Sequence, residues 1–249
     1  MSKIAINNVS KIFERKGVPF KSLDNINLKI NEGEFLCILG PSGCGKSTIL
    51  RIIAGLDKPS IGEVLMDNEV IIGPDHKRGM VFQEYSLFPW RNVIDNVAFP
   101  LEMKGVAEEE RYKIAEEYLK IVGLEKFKEA KTYELSGGMK QRVAIVRSLA
   151  GDPEILLMDE PFGALDIQTR NQLQKDLLKI WEDKRKTIIF VTHSVDEAAF
   201  LGDRVVVISK RPGKIVRTFN IDIKRNRNRL DPEFMKLKRE IYDFLEGGE

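Results

Sequence analysis

The stretch Gly40-Pro41-Ser42-Gly43-Cys44-Gly45-Lys46-Ser47-Thr48 constrains this chain more than any other. It follows the apolar run Phe35-Leu36-Cys37-Ile38-Leu39 and precedes Thr48-Ile49-Leu50-Arg51-Ile52-Ile53-Ala54, closed by Gly55. The first run is apolar on both faces, as a central parallel strand is, and the second reads as a helix. Between them stands G-x-x-x-x-G-K-[ST], the P-loop pattern, in the strand–turn–helix context it requires. Gly43 and Gly45 allow backbone conformations that a Cβ forbids, and let the chain approach a phosphate closely. The freed N–H groups form an anion cradle, to which the helix adds the positive end of its dipole. In this pattern Lys46 reaches the β- and γ-phosphates and the Ser47 hydroxyl ligates Mg²⁺. Alone, the stretch implies only that the chain binds a nucleoside triphosphate.

A chain of 249 residues can bury a real core, as one large domain or two small ones. The formal net charge of +2 gives no electrostatic footprint for nucleic acid, so no nucleic-acid partner is expected. Cys37 and Cys44 lack metal-site spacing and read as small packing residues in a reducing, cytosolic compartment. Met1-Ser2-Lys3-Ile4 has no signal-peptide architecture. No apolar run approaches the roughly 20 residues that span a bilayer, so membrane association is expected through partners.

Residues 3–9 and 23–30 alternate and read as half-buried, antiparallel strands. Residues 62–66 and 70–72 read as a hairpin around Asp67-Asn68, and residues 79–83 as a strand ending in polar Gln83. From Asn92 to about Thr132 the pattern is helical, with Gly123 closing one helix. A further helix runs from Leu135 to Leu149, capped by Ser136. Strands are then expected at 155–158, 187–192, 204–209 and 215–219, with helices at 166–181 and 195–201. Asp231-Pro232 opens a terminal helix over about 231–246, with Asp as N-cap and Pro at the first helical position. The basic stretch Lys224–Arg229 reads as a solvated surface loop.

Two downstream motifs narrow the chemistry. Ile155-Leu156-Leu157-Met158 ends in Asp159-Glu160. A carboxylate at the carboxyl edge of a parallel strand stands where ligands bind in open α/β sheets. Asp159 is placed to hold Mg²⁺, and Glu160 to polarise the attacking water as general base. Leu135-Ser136-Gly137-Gly138-Met139 opens a helix with a serine and two glycines, which makes a second anion-binding site. One triphosphate rarely needs two such sites in one chain. The economical explanation is that each copy supplies this one in trans to a nucleotide held by another.

With these motifs in order, the chain resembles the nucleotide-binding subunits of ABC transporters over nearly its whole length. The resemblance implies one ABC ATPase domain over residues 1–249: an α/β P-loop NTPase core with a mostly parallel sheet, an antiparallel β subdomain and an inserted α-helical subdomain at about 90–150. It places Gln83 at the Q-loop, Leu135-Ser136-Gly137-Gly138 at the signature, Ala164-Leu165-Asp166 at the D-loop and His193 at the switch histidine. Met139 stands where glutamine is commonest; the Ser-Gly-Gly that meets phosphate is intact. The resemblance implies ATP and Mg²⁺, with Ser47, Gln83 and Asp159 toward the metal and Lys46, Gln83, Glu160 and His193 in catalysis. It implies an aromatic stacked on adenine at Phe13, with Phe20 as the rival. His76 has no such support and is read as surface.

The aromatic segment Tyr85-Ser86-Leu87-Phe88-Pro89-Trp90 falls where the family docks an integral-membrane permease. With Asn92-Val93, Arg211-Pro212-Gly213-Lys214-Ile215 and Asp231-Pro232-Glu233-Phe234 it looks like the nitrate/sulfonate/taurine importer group. Those importers pair two ATPase chains with two permease chains and an extracytoplasmic solute-binding protein. The implied location is the cytoplasmic face of the membrane, as a peripheral subunit. The rivals are a soluble ABC ATPase without a permease, such as a cluster-assembly ATPase, a P-loop kinase or nucleic-acid-dependent ATPase, and a non-catalytic regulator. Leu-Ser-Gly-Gly disfavours the second, and intact Glu160 and His193 the third.

Overall fold

The computed structural model describes residues 2–163, 165–225 and 227–247. In chain order the elements are β1 (Ser2–Arg15), β2 (Val18–Asn31), β3 (Phe35–Leu39), α1 (Lys46–Ile53), β4 (Ile61–Met66), β5 (Glu69–Val70) and β6 (Arg78–Val81). Then come α2 (Val93–Met103), α3 (Glu108–Ile121), α4 (Gly137–Ala150), β7 (Ile155–Asp159) and α5 (Ile167–Lys184). The chain continues through β8 (Thr187–Thr192), α6 (Val195–Leu201), β9 (Arg204–Ile208), β10 (Ile215–Asn220) and α7 (Pro232–Gly247). Two compact units divide it: Met1–Pro74 with Thr187–Glu249, and Asp75–Lys186.

The first unit holds an antiparallel sheet in the order β2-β1-β4-β5. Ile4, Ile6 and Val9 on β1 and Ile26, Leu28 and Ile30 on β2 are buried, which is the alternation that predicts these strands. The strands run well past the expected bounds, to Arg15 paired with Val18. Lys16 and Gly17 turn the chain, with φ of 52° and 76°. Positive φ at both central residues matches the right-handed twist of the flanking strands. The hairpin tip, residues 14–19, is exposed on both faces, so no buried face alternates there for sequence to reveal. The turn at Asp67-Asn68 is of the expected kind, with φ of 52° and 67°.

The same unit carries β3 between parallel partners β8 and β9, with β10 antiparallel to β9. Every residue of β3 and β8 is buried. Leu39 pairs with Thr192 on one side and Val207 on the other. The residues after β3 and after β8 therefore leave the sheet together, at its carboxyl edge. Glu34 secures the other end: it accepts from Arg204 at 2.7 and 3.1 Å and from the Asn31 N–H at 2.8 Å.

One expectation fails here. Lys224–Arg229 is not a solvated loop. Arg227 is 7% exposed, and its Nη1 donates to the carbonyls of Ala199, Phe200 and Gly202 at 2.7–3.0 Å. Those carbonyls end α6 with few intrahelical donors left, and a guanidinium satisfies them while opposing the negative end of the helix dipole. Arg225 bonds the Leu201 carbonyl and Asp203, and Arg229 stacks on Phe200 at 3.8 Å while pairing with Asp196 at 2.7 Å. Burial first, and then Arg225 nearby, bring the Arg227 guanidinium down to about 10. A run of like charge looks solvated in sequence; here Arg225, Arg227 and Arg229 each have a carbonyl or carboxylate partner, while Lys224 is exposed.

The second unit pairs β6 and β7 in parallel, Val81 against Met158. Its helices form a separate core of Val93, Val97, Leu101, Ala115, Leu119, Val143 and Val146. Asn92 caps α2 by accepting from the Asp95 N–H at 2.8 Å, and Ser136 caps α4 by accepting from the Met139 N–H at 3.3 Å. Among the described residues no helix is long and apolar enough to cross a membrane.

Candidate nucleotide site and docking groove

The first unit places the P-loop and His193 on neighbouring parallel strands, each just past the last paired residue. Gly43 and Gly45 have φ of 76° and 107°, the left-handed region where glycine is favoured. A Cβ on Gly45 would lie 2.6 Å from Leu23 Cδ2 and 3.1 Å from the Ser22 carbonyl. Lys46 is buried, and its Nζ donates to the carbonyls of Gly40 and Pro41 at 2.8 and 2.9 Å. The ammonium is thus held across the loop's mouth. Ser47 is exposed in the first turn of α1, and Thr48 follows it half-buried. Pro41 and Ser42 are exposed, while Cys44 is buried with Sγ beneath Gly40. The Cys37 thiol, fully buried in β3, is pushed far above its ordinary range by that burial.

His193 is exposed, but the backbone on both sides of it is fixed. Thr192 Oγ1 donates to the buried Glu197 carboxylate at 2.5 Å and accepts from the Ser194 N–H at 3.0 Å. Ser194 then caps α6 through the Glu197 N–H at 3.4 Å. Phe13 and Phe20 are partners across β1 and β2, their rings stacked at 5.8 Å and 28°. Lys11 Nζ stands 5.0 Å over Phe13, and Arg211 stands 5.2 Å over Phe20 while bonding the Gly43 carbonyl. Phe20 is thereby tied to the P-loop, with Phe13 one ring farther out.

The second unit brings its own set to one edge. β6 and β7 are parallel and in register, so Gln83 and the Asp159-Glu160 pair follow the same carboxyl edge. Asp159 is buried at the end of β7. Glu160 has φ of 43°, a left-handed conformation for a residue with a Cβ. Such strain persists only where the surroundings impose it, and it concentrates at functional sites. Gln83 is exposed and lines a cavity of about 480 Å³ with Glu84, Tyr85, Leu87, Thr132 and Lys140. Ser136 and Gly137 are exposed at the start of α4, with Gly138 and Met139 half-buried. The two glycines also have a packing reason that sequence does not disclose. A Cβ on Gly137 would meet the Tyr85 hydroxyl at 2.9 Å, and one on Gly138 would meet Thr169 Cγ2 at 2.7 Å. Asp166 caps α5 by accepting from the Thr169 N–H at 3.0 Å, and that bond holds its carboxyl below the usual range. Ala164, which precedes it in the expected D-loop, lies outside the described residues.

Beside this edge a groove of about 860 Å³ is lined by Arg78, Phe82, Phe88, Phe99, Met103 and Arg147, among others. Its aromatic wall is rigidly held. The fully buried Asn96 donates to the Phe88 and Asn92 carbonyls at 3.2 and 2.8 Å and accepts from the Phe88 N–H at 2.8 Å. Arg147, on α4, donates to the Ser86 carbonyl at 2.7 Å and lies 5.3 Å over the Phe88 ring. Its burial lowers the guanidinium pKa. Sequence inspection missed Arg147 and Glu197, and gave Arg211 and Arg227 none of these contacts. Each acts on a carbonyl, a ring or a neighbouring hydroxyl that spacing does not mark.

The profile of the ABC transporter family matches residues 23–163. An uncharacterised ABC transporter ATP-binding protein of Methanocaldococcus jannaschii is 57% identical, covering 98% of this chain and 91% of that one. A nitrate import ATP-binding protein of Synechocystis is 48% identical, covering 99% of this chain and 96% of that one. Among solved structures, a dimeric ATP-binding cassette in a post-hydrolysis state bound to ADP and Pi superposes with a TM-score of 0.80. It is 40% identical and spans 89% of this chain and all of that one.

Proposed function

The chain belongs to the ATP-binding subunits of ABC transporters and is an ATPase of the importer type, and from that premise we propose how its residues divide the work. Gly40–Thr48 cradles the phosphates of ATP. Ser47, Gln83 and Asp159 each carry a hard oxygen donor of the kind Mg²⁺ takes, and these residues would hold it. When bound, the ion supplies charge neutralisation on the β- and γ-oxygens. Lys46 holds the γ-phosphate, Glu160 accepts a proton from the attacking water, and His193 keeps that water and Glu160 in line. The fixed backbone on either side of His193 supports that role, because a group that aligns a water must itself be held.

Ser136, Gly137, Gly138 and Met139 of one copy close over the nucleotide held by a second copy, with Asp166 at the same seam. Closure is driven by ATP binding more tightly to the closed pair. A permease seats a short cytoplasmic helix in the groove beside Gln83–Trp90, and an extracytoplasmic binding protein delivers the solute. Trp90 at 73% exposure and Met103 at 69% support a partner surface, since large apolar side chains at a groove rim are what interfaces bury. On this reading the subunit sits peripherally on the cytoplasmic face of the membrane. Nitrate, a sulfonate, taurine or a similar small solute is the cargo. A permease-free ABC ATPase would have no use for a cavity walled by Phe82, Phe88 and Phe99 and braced from α4.

The observation that carries the hydrolytic reading is Glu160, held in a left-handed conformation directly after buried Asp159. Glu160→Gln keeps the shape and removes the base. Expected is MgATP affinity within about threefold of wild type and turnover lowered by roughly 10²–10⁴-fold, the usual worth of a general base. Normal turnover in that variant would sink the assignment.

A further inference from the structure

Arg211 lies in the stretch that resembles the importer group but carries no role in the site described above, yet it touches the P-loop. Its Nη2 and Nε donate to the Gly43 carbonyl at 2.8 and 3.2 Å, and its guanidinium lies 5.2 Å over the Phe20 ring. Phe20 in turn stacks on Phe13. The turn that carries Arg211 is itself braced. Gly213 donates to the Ser22 carbonyl at 2.9 Å and accepts from the Asp24 N–H at 3.0 Å. Ser209 and Lys214 close the turn, and Lys214 pairs with Asp24 at 3.0 Å. A Cβ on Gly213 would lie 2.2 Å from the Cys44 carbonyl, so the turn rests directly against the P-loop.

We infer that Arg211 is a positioning residue for nucleotide binding, locking the Gly43–Cys44 peptide of the P-loop to the Phe20–Phe13 aromatic pair. A trans peptide points its C=O and N–H in opposite directions. Holding the Gly43 oxygen outward therefore holds the Cys44 N–H inward, where it already donates to the Pro41 carbonyl at 3.4 Å. Gly43 has no side chain and a left-handed φ, so nothing of its own restrains that plane. A planar guanidinium can bond a carbonyl edge-on and stack on a ring with its face at once, which an ammonium cannot. Arg211 thereby couples the part of the site that meets phosphate to the rings offered to the base.

The inference rests on Gly40–Thr48 being the phosphate cradle, and the test separates the two. MgATP binding to the full chain is measured by calorimetry for wild type, Lys46→Ala, Arg211→Ala and Arg211→Lys, with steady-state ATPase and the nucleotide-free melting temperature alongside. Expected for Arg211→Ala is affinity lowered about tenfold, the size of one charge-assisted hydrogen bond. KM rises, kcat stays within about twofold, and the nucleotide-free melting temperature does not move. Arg211→Lys, which keeps a donor but not the stack, recovers part of the affinity. Wild-type affinity in Arg211→Ala, with Lys46→Ala losing binding, overturns the inference and leaves the cradle standing. So does a fall in melting temperature that tracks the loss of affinity with no recovery by lysine. Unchanged binding in Lys46→Ala removes the cradle reading and this inference with it.

Discussion

Gly45 shows how a single residue can decide whether the site exists. Its φ of 107° and the 2.6 Å approach a Cβ would make to Leu23 leave room only for hydrogen. Gly45→Ala is expected to lower MgATP affinity more than tenfold and to reduce the melting temperature. Gly105 is the control. It has φ of 75° but nothing within 4 Å of a Cβ, so Gly105→Ala should cost only the left-handed penalty of roughly 1–2 kcal/mol and leave affinity unchanged. Equal binding by Gly45→Ala and wild type would contradict the cradle geometry. At this scale the sequence is legible where chemistry is local: Lys46 and Ser47 after a glycine turn, Ser136 before Gly137, Asp159 closing an apolar run. It is silent where a side chain acts at a distance. Arg211 meets Gly43 from 168 positions away, and Arg147 meets Ser86 from 61, and no spacing rule marks either.

Elements were easier to read than their surroundings. Buried β3, β7 and β8 announce themselves as unbroken apolar runs, and α4 and α5 by their capping Ser136 and Asp166. The basic stretch Lys224–Arg229 misleads because a row of arginines looks the same in solution and on a helix end. Asp196 on α6 accepts from Lys238 on α7 and from Arg229, which precedes α7, at 2.7 Å each. Burial pushes the Asp196 carboxyl up, but those two cations outweigh it and hold it below the usual carboxylate range. A carboxyl depressed in the folded state favours folding above its unfolded value of about 3.9, and that contribution is lost as pH falls through the lower folded value. Asp196→Asn should therefore melt below wild type at neutral pH, with the gap closing below about pH 4. Melting temperatures at pH 7 and pH 3 check this; a gap of the same size at both would show that the pairing is not what the acid titrates.

At the scale of the whole molecule, the chain carries two glycine-flanked helix starts, at Lys46 and at Gly137, and, in the unit that holds the second, a groove with exposed Met103 in its lining. The first reads as the site of a nucleotide and the others as surfaces for other chains. The motif order alone makes the ABC resemblance legible. The cargo is not legible, because on the proposed function solute recognition falls to chains other than this one. The central claim is that Gly40–Thr48 is half of a site that a second copy completes through Ser136–Met139. The most direct measurement is ATPase activity per chain against protein concentration, with MgATP binding followed in parallel. The account predicts that the chain binds MgATP at every concentration, while specific activity climbs from near zero toward a plateau as copies pair. Specific activity that stays constant to well below the concentration at which dimers form would contradict it.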